Sequence, residues 1–191
     1  MKRCLLLSIV IVCGTVCLGL TNCGCISIGG PFFHGKPDYT KLPADVMKEV
    51  ALEIEQAVQK GEREPSIADR GGIVLSTDAI KQAIRTRAAR SELLNKFLDS
   101  GHACEGRTGL ISILRTKDYK KSASSKQRDR DALLIMSENS NRWAIYEGIV
   151  DASKLKPGSL SAIQAVFHDA RVQCMTQGQK YEDASGAVQV K

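Results

Sequence analysis

Large side chains are what this sequence has least of: its 191 residues include four Phe, four Tyr and a single Trp. A core of stacked aromatics is thereby excluded, and the interior must be assembled from Leu, Ile, Val and Ala, with Trp143 as its largest piece. Five Pro and 16 Gly are too few for a proline-rich or collagenous architecture. A charged fraction of 25% beside a hydrophobic fraction of 43% excludes wholesale disorder and leaves one ordinary domain's worth of globular chain. No C-x-x-C or H-x-x-x-H spacing joins the three His and seven Cys. A zinc site from His102, Cys104 and Cys174 therefore lacks the spacing that identifies one, and no metal is assigned. No serine sits in a G-x-S-x-G setting, and GRTG and DRGG are too short to cradle phosphate, so no catalytic residue or cofactor is assigned either. There is no internal repeat.

Long apolar runs are also missing. The longest, Cys4 to Leu20, is interrupted by Ser8, Gly14, Thr15 and Gly19, and it falls short of the ~20 strongly apolar residues of a permanent span. Preceded by Lys2 and Arg3, it reads as a secretory signal peptide over residues 1–24. Its end resembles a bacterial lipoprotein processing site. Cys25, preceded by the small Gly24, is the expected lipidated residue; Cys23, preceded by Asn22, is the second choice. Several acyl chains on one terminus would anchor the chain stably to a membrane. The expected location is extracytoplasmic, on the periplasmic face of the outer or inner membrane.

Residues 25–42 are rich in Gly and Pro and read as a membrane-proximal linker. The domain follows over 43–191. Val46, Val50, Ile54 and Val58 recur at helical spacing and predict a first helix over 43–60, ended by Gly61. A second helix is predicted over 78–100, capped by Ser76 or Thr77, with Ile80, Ala83, Ile84, Leu94, Phe97 and Leu98 on one face. GLISIL, residues 109–114, reads as a strand. A third helix is predicted over 131–152, with Asn139 in the middle of its apolar side. A fourth is predicted over 161–177, opened by the capping-box pattern Ser161-x-x-Gln164 and striped by Leu160, Ile163, Val166, Phe167, Ala170 and Cys174; His168 falls on its polar side. Two short extended pieces flank the turn Asp183 to Gly186. The fold class expected is mainly α: about four helices with a minor two- or three-stranded β element.

Residues 115–130 carry seven Lys or Arg against two Asp and hold most of the net positive charge. The stretch reads as a solvated loop. Its functional alternative is contact with anionic lipid headgroups through Lys120, Lys121, Lys126 and Arg128. Nucleic acid is not an expected partner outside the cytoplasm, and a single Tyr119 among these charges is no series of stacking platforms.

The order of motifs is distinctive: an arginine-bearing helix, GHACEGRTGL, ENSNRWAIYEGIV after a variable loop, a helix with Phe167, and GQKYEDASGAVQVK. From about residue 77 to the end it resembles the YdbL-like family of small bacterial envelope proteins, a domain of unknown function. The resemblance rests on Arg87, Arg90, Gly101, Glu105, Gly109, Leu110, Glu138, Asn139, Arg142, Tyr146, Gly178, Gly186 and Lys191. Cys104, Cys174 and the absence of an aromatic near Val188 depart from the family pattern. The resemblance implies an extracytoplasmic helical domain with an envelope protein as partner, since some relatives occur beside very large envelope proteins thought to carry lipid between membranes.

Arg87 and Arg90 lie on an apolar helix face and need partners, because an unpaired buried charge is costly. Glu105 and Glu138 are the candidates, with Arg90–Glu138 the leading pair and Arg87–Glu105 its companion; Asn139 and Arg142 complete the expected structural network. An alternative makes Glu105 or Glu138 the general acid or base of an envelope-acting hydrolase. Cys104 and Cys174 are the two cysteines outside the signal region. An even pair in an oxidising compartment predicts a disulfide. The function expected is a non-enzymatic, lipid-anchored binding or assembly factor.

Overall fold

The structure, a computed structural model, describes residues 37–40 and 42–191. Cys23, Cys25, the signal peptide and most of the predicted linker lie outside the described residues. Helix α1, Ala44–Gln59, buries Met47, Val50, Ala51, Ile54 and Val58, the face its four-residue spacing announces. The connector that follows is packed rather than loose: Ile73 and Leu75 are buried, and Asp69 accepts from the amides of Leu75 and Ser76. Thr77 then caps α2, Asp78–Asp99, by accepting from the Ile80 amide.

Beyond α2 the chain forms two short strands, β1 (Ala103–Glu105) and β2 (Ile111–Ile113). Helix α3 spans Lys117–Ser122 and α4 spans Ser125–Ala152; α5 is Ser159–Cys174, and β3 (Lys180–Glu182) and β4 (Val188–Val190) close the chain. The strands make one sheet in the order β2-β1-β3-β4, with β1 parallel to β3 and both outer pairings antiparallel. The fold is mainly α with a minor β element.

Three local expectations are corrected. The basic stretch 115–130 is not a loop. Thr116 and Ser124 each cap a helix there, the Tyr119 hydroxyl donates to Asp131 at 2.8 Å, and both residues are buried. Closely spaced Ser, Thr and Lys suggested solvation, but two of those hydroxyls are N-caps and Tyr119 anchors the short helix to α4. The fourth predicted helix starts earlier than expected, at Ser159, with Gly158 as its cap; Ser161 Oγ donates back to the Gly158 carbonyl instead of forming a capping box. His168 is buried rather than on a polar face, because α5 is covered by α1 and also by the sheet, where Tyr181 faces it.

The apolar interior is divided in two. The larger part joins α1, the first half of α2, the second half of α4 and α5; the smaller joins the second half of α2, the β1–β2 hairpin, α3 and the first half of α4. Along α2 the division falls between Ile84 and Leu94, and along α4 between Ile135 and Ile145. Charged side chains fill that gap.

Candidate functional site

Six buried charged side chains from five elements form an alternating ladder: Glu55 on α1, Arg87 on α2, Glu138 and Arg142 on α4, Glu105 on β1 and Arg171 on α5. Arg87 donates Nη1 and Nη2 to the two oxygens of Glu55, at 2.7 and 2.9 Å, and Nε to Glu138 Oε1 at 2.8 Å. The same Glu138 oxygen accepts from Arg142 Nε at 2.8 Å. Arg142 then grips Glu105 with both terminal nitrogens, at 2.7 and 3.0 Å, and Arg171 Nε reaches Glu105 Oε1 at 3.0 Å. Three carboxylates and three guanidiniums alternate, so the ladder is neutral as a whole. Planar forks meeting carboxylates two bonds at a time give these pairs a directional strength that lysine would lack.

Burial alone would raise the pKa of Glu105. The charges of Arg142 and Arg171 outweigh it and hold the carboxyl down to about 2. Glu138 behaves likewise: burial opposes ionisation, while Arg87 and Arg142 drive its pKa well below the ordinary carboxylate range. Both groups are permanent anions at neutral pH. Neither lines the cavity between α1 and α2 or the one at the α2–α3–α4 corner. A general acid must hold a proton near the working pH and meet substrate. Glu105 and Glu138 are placed for neither.

Helix α4 also fastens the β1–β2 hairpin. Asn139 Nδ2 donates to the Ile111 carbonyl and its Oδ1 accepts from the Ile111 amide, both at 2.9 Å, so one side-chain amide stands in for a neighbouring strand at the edge of β2. One and two turns further along, Arg142 Nη1 and the Tyr146 hydroxyl both donate to the Gly109 carbonyl, at 3.1 and 2.8 Å. Gly109 has φ +72°, and a Cβ there would come within 3.0 Å of the Gln164 carbonyl and the Tyr146 hydroxyl, so only glycine fits the turn.

Of the expected network, Glu138, Glu105, Arg142 and Arg87 come together, but with different partners. Arg90 is at the rim: its Nη2 reaches Glu138 at only 3.5 Å and also donates to the Ser137 carbonyl, while Nη1 donates to the Ser137 hydroxyl. Arg87 takes the place expected of Arg90, and Arg142, not Arg87, holds Glu105. The expected Arg87–Glu105 pair is absent among the described residues. Arg87 falls between the two apolar clusters on the buried line of α2, whereas Arg90 turns toward the α4 surface, and a single-helix projection does not separate them. Glu55 and Arg171 were missed. Both carried a legible signal, Glu55 beside Ile54 on the buried face of α1 and Arg171 beside Ala170, one turn after Phe167.

Cys104 and Cys174 are free thiols, so the expected disulfide is corrected. Cys104 is the middle residue of β1, between Ala103 and Glu105. Alternation along a strand sends its thiol to the face opposite Glu105, whereas α5, which carries Cys174, packs on the Glu105 face through Arg171. Burial, then the neighbouring Glu182 and Glu105 charges, push the Cys104 pKa up to about 11, an unreactive thiol. Of the expected surface cations, Lys120, Lys121 and Lys126 are exposed. Arg128 is partly withdrawn from that role: its Nη1 donates to the Ala123 carbonyl at 2.6 Å and caps the end of α3. Among the described residues no three His, Cys, Asp or Glu are grouped as metal ligands. No family model, curated protein or solved structure matches the chain.

Proposed function

We propose that this protein is a lipid-anchored, non-catalytic binding or assembly factor of the bacterial cell envelope, related to the YdbL-like proteins. It serves a large envelope protein of the lipid-transport kind. The observation that carries the non-catalytic half of this reading is the ladder itself. The hydrolase alternative needs Glu105 or Glu138 to exchange protons with substrate, and both are buried and paired with guanidinium groups inside the core. A buried ionic ladder spanning five elements makes a rigid platform, which suits a domain that presents its surface to a partner. The anchor half rests on the residues around Cys25.

The test is twofold. Labelled fatty acid should enter the wild-type chain and be lost in Cys25→Ser; loss in Cys23→Ser instead would move the anchor by two residues, and incorporation in neither would remove it. Crosslinking in intact envelopes followed by mass spectrometry should recover one large envelope protein in stoichiometric yield. Hydrolysis of envelope material by the purified protein, abolished by Glu105→Gln, would overturn the non-catalytic reading.

A further inference from the structure

The corner built by α3 and the first half of α4 carries a surface that the ladder does not explain. On α3, Tyr119 points inward, and the 100° step per residue turns Lys117, Lys120 and Lys121 to the solvent side. On α4, Asp131 and Ile135 define the inward line, and the opposite side presents Lys126, Leu133 and Met136 with one acidic residue, Asp129, among them. Leu133 and Met136 are 64% and 66% exposed although a single turn separates them. Leu93, 59% exposed, sits across the α2–α4 seam at the rim of a cavity of about 310 Å³ walled by Phe97, Tyr119 and Leu134. Among the described residues, Lys117, Lys120, Lys121, Lys126 and Arg130 form no ion pair.

Cations without ion pairs on the outward sides of α3 and the start of α4, with projecting aliphatic side chains further along α4, match two layers of one partner. Phosphate groups suit the lysines, and the acyl boundary beneath them suits Leu133 and Met136. We infer that this corner docks on an anionic lipid bilayer, with Lys117, Lys120, Lys121 and Lys126 among the headgroups and Leu133 and Met136 dipping below them. Charge complementarity selects the bilayer over a second copy of this chain, whose same corner would bring like charges together. The inference deepens the envelope reading: the domain lies against the membrane that its anchor enters instead of swinging free of it. It does not depend on which cysteine carries lipid.

Hydrogen exchange of the full-length chain, followed peptide by peptide on vesicles, tests the docking separately from the anchor. On phosphatidylcholine mixed with phosphatidylglycerol, peptides covering 117–137 should slow relative to pure phosphatidylcholine, and the difference should vanish at high salt. Lys120→Glu with Lys121→Glu should weaken the anionic-vesicle interaction by roughly 30-fold or more. Leu133→Ser with Met136→Ser should weaken binding while leaving its salt dependence in place. Circular dichroism should show each variant folded, since all four side chains are exposed. The Cys23→Ser, Cys25→Ser double variant should keep the protection of 117–137 even where fatty-acid labelling is lost. Equal exchange of 117–137 on both vesicle types, or protection confined to residues before 37, would overturn the inference and leave the anchor reading standing.

Discussion

Arg142 holds Glu105 through two parallel bonds of 2.7 and 3.0 Å, with no more than 2% of either side chain exposed, across 37 positions of sequence. The pair ties the longest helix to the second strand of the sheet order. Because Arg142 also donates to Glu138 and to the Gly109 carbonyl, it is the residue on which most of the ladder converges.

Removing Arg142 should therefore be severe. Arg142→Met keeps most of the stem but strands parts of two buried carboxylates, which costs about 3–5 kcal/mol. Urea unfolding followed by circular dichroism measures it. A loss below about 1 kcal/mol would mean that water or another cation reaches Glu105 and Glu138.

Arg90→Ala, at the rim, should cost about 1 kcal/mol or less, because its charge is partly exposed and Glu138 keeps two closer arginines. Arg87→Ala should cost several times more. Equal losses for the two variants would restore Arg90 as the main partner of Glu138.

Acid should unfold the domain between roughly pH 4 and pH 2. The folded-state pKa of Glu105, about 2, and that of Glu138, lowered by Arg87 and Arg142, lie below their unfolded values, so their stabilisation is complete above the unfolded pKa and is lost as pH falls toward the folded one. A stability profile that stays flat down to pH 2, measured as the urea midpoint against pH, would contradict the ladder.

Asn139→Leu should cost about 1–3 kcal/mol by leaving the Ile111 amide and carbonyl without their partners. Hydrogen exchange at the Ile111 amide should accelerate more than at Glu105, whose strand lies inside the sheet. Asn139→Asp should fall between, since it keeps the acceptor and loses the donor.

Cys104 and Cys174 should both take up an alkylating reagent in denaturant without prior reduction. In the native protein Cys104 should stay unmodified, being buried with its pKa raised, while the half-buried Cys174 reacts slowly. Peptide mapping of the two sites reads this directly, and a linked Cys104–Cys174 peptide would restore the bridge.

The sequence by itself determined the helices whose apolar residues repeat at helical spacing, α1 and α2 almost to the residue, and the hairpin around Asp183 to Gly186. These are local properties: periodicity, a cap and a turn residue act within a few positions. It also marked Arg87 and Arg90 as charges in need of partners, with Glu105 and Glu138 as the candidates, because desolvation makes a charge on an apolar face conspicuous; of the two arginines only Arg87 is fully buried. Which carboxylate meets which guanidinium was decided only by the tertiary structure. Every oppositely charged pairing is favourable in the abstract, and the choice depends on how five elements converge around the gap between two apolar clusters. The same reason covers Tyr119 and Asp131, which turn a basic, serine-rich stretch from an apparent loop into packed helix, and Cys104, whose thiol faces away from α5 only because Glu105 beside it must face Arg142 and Arg171.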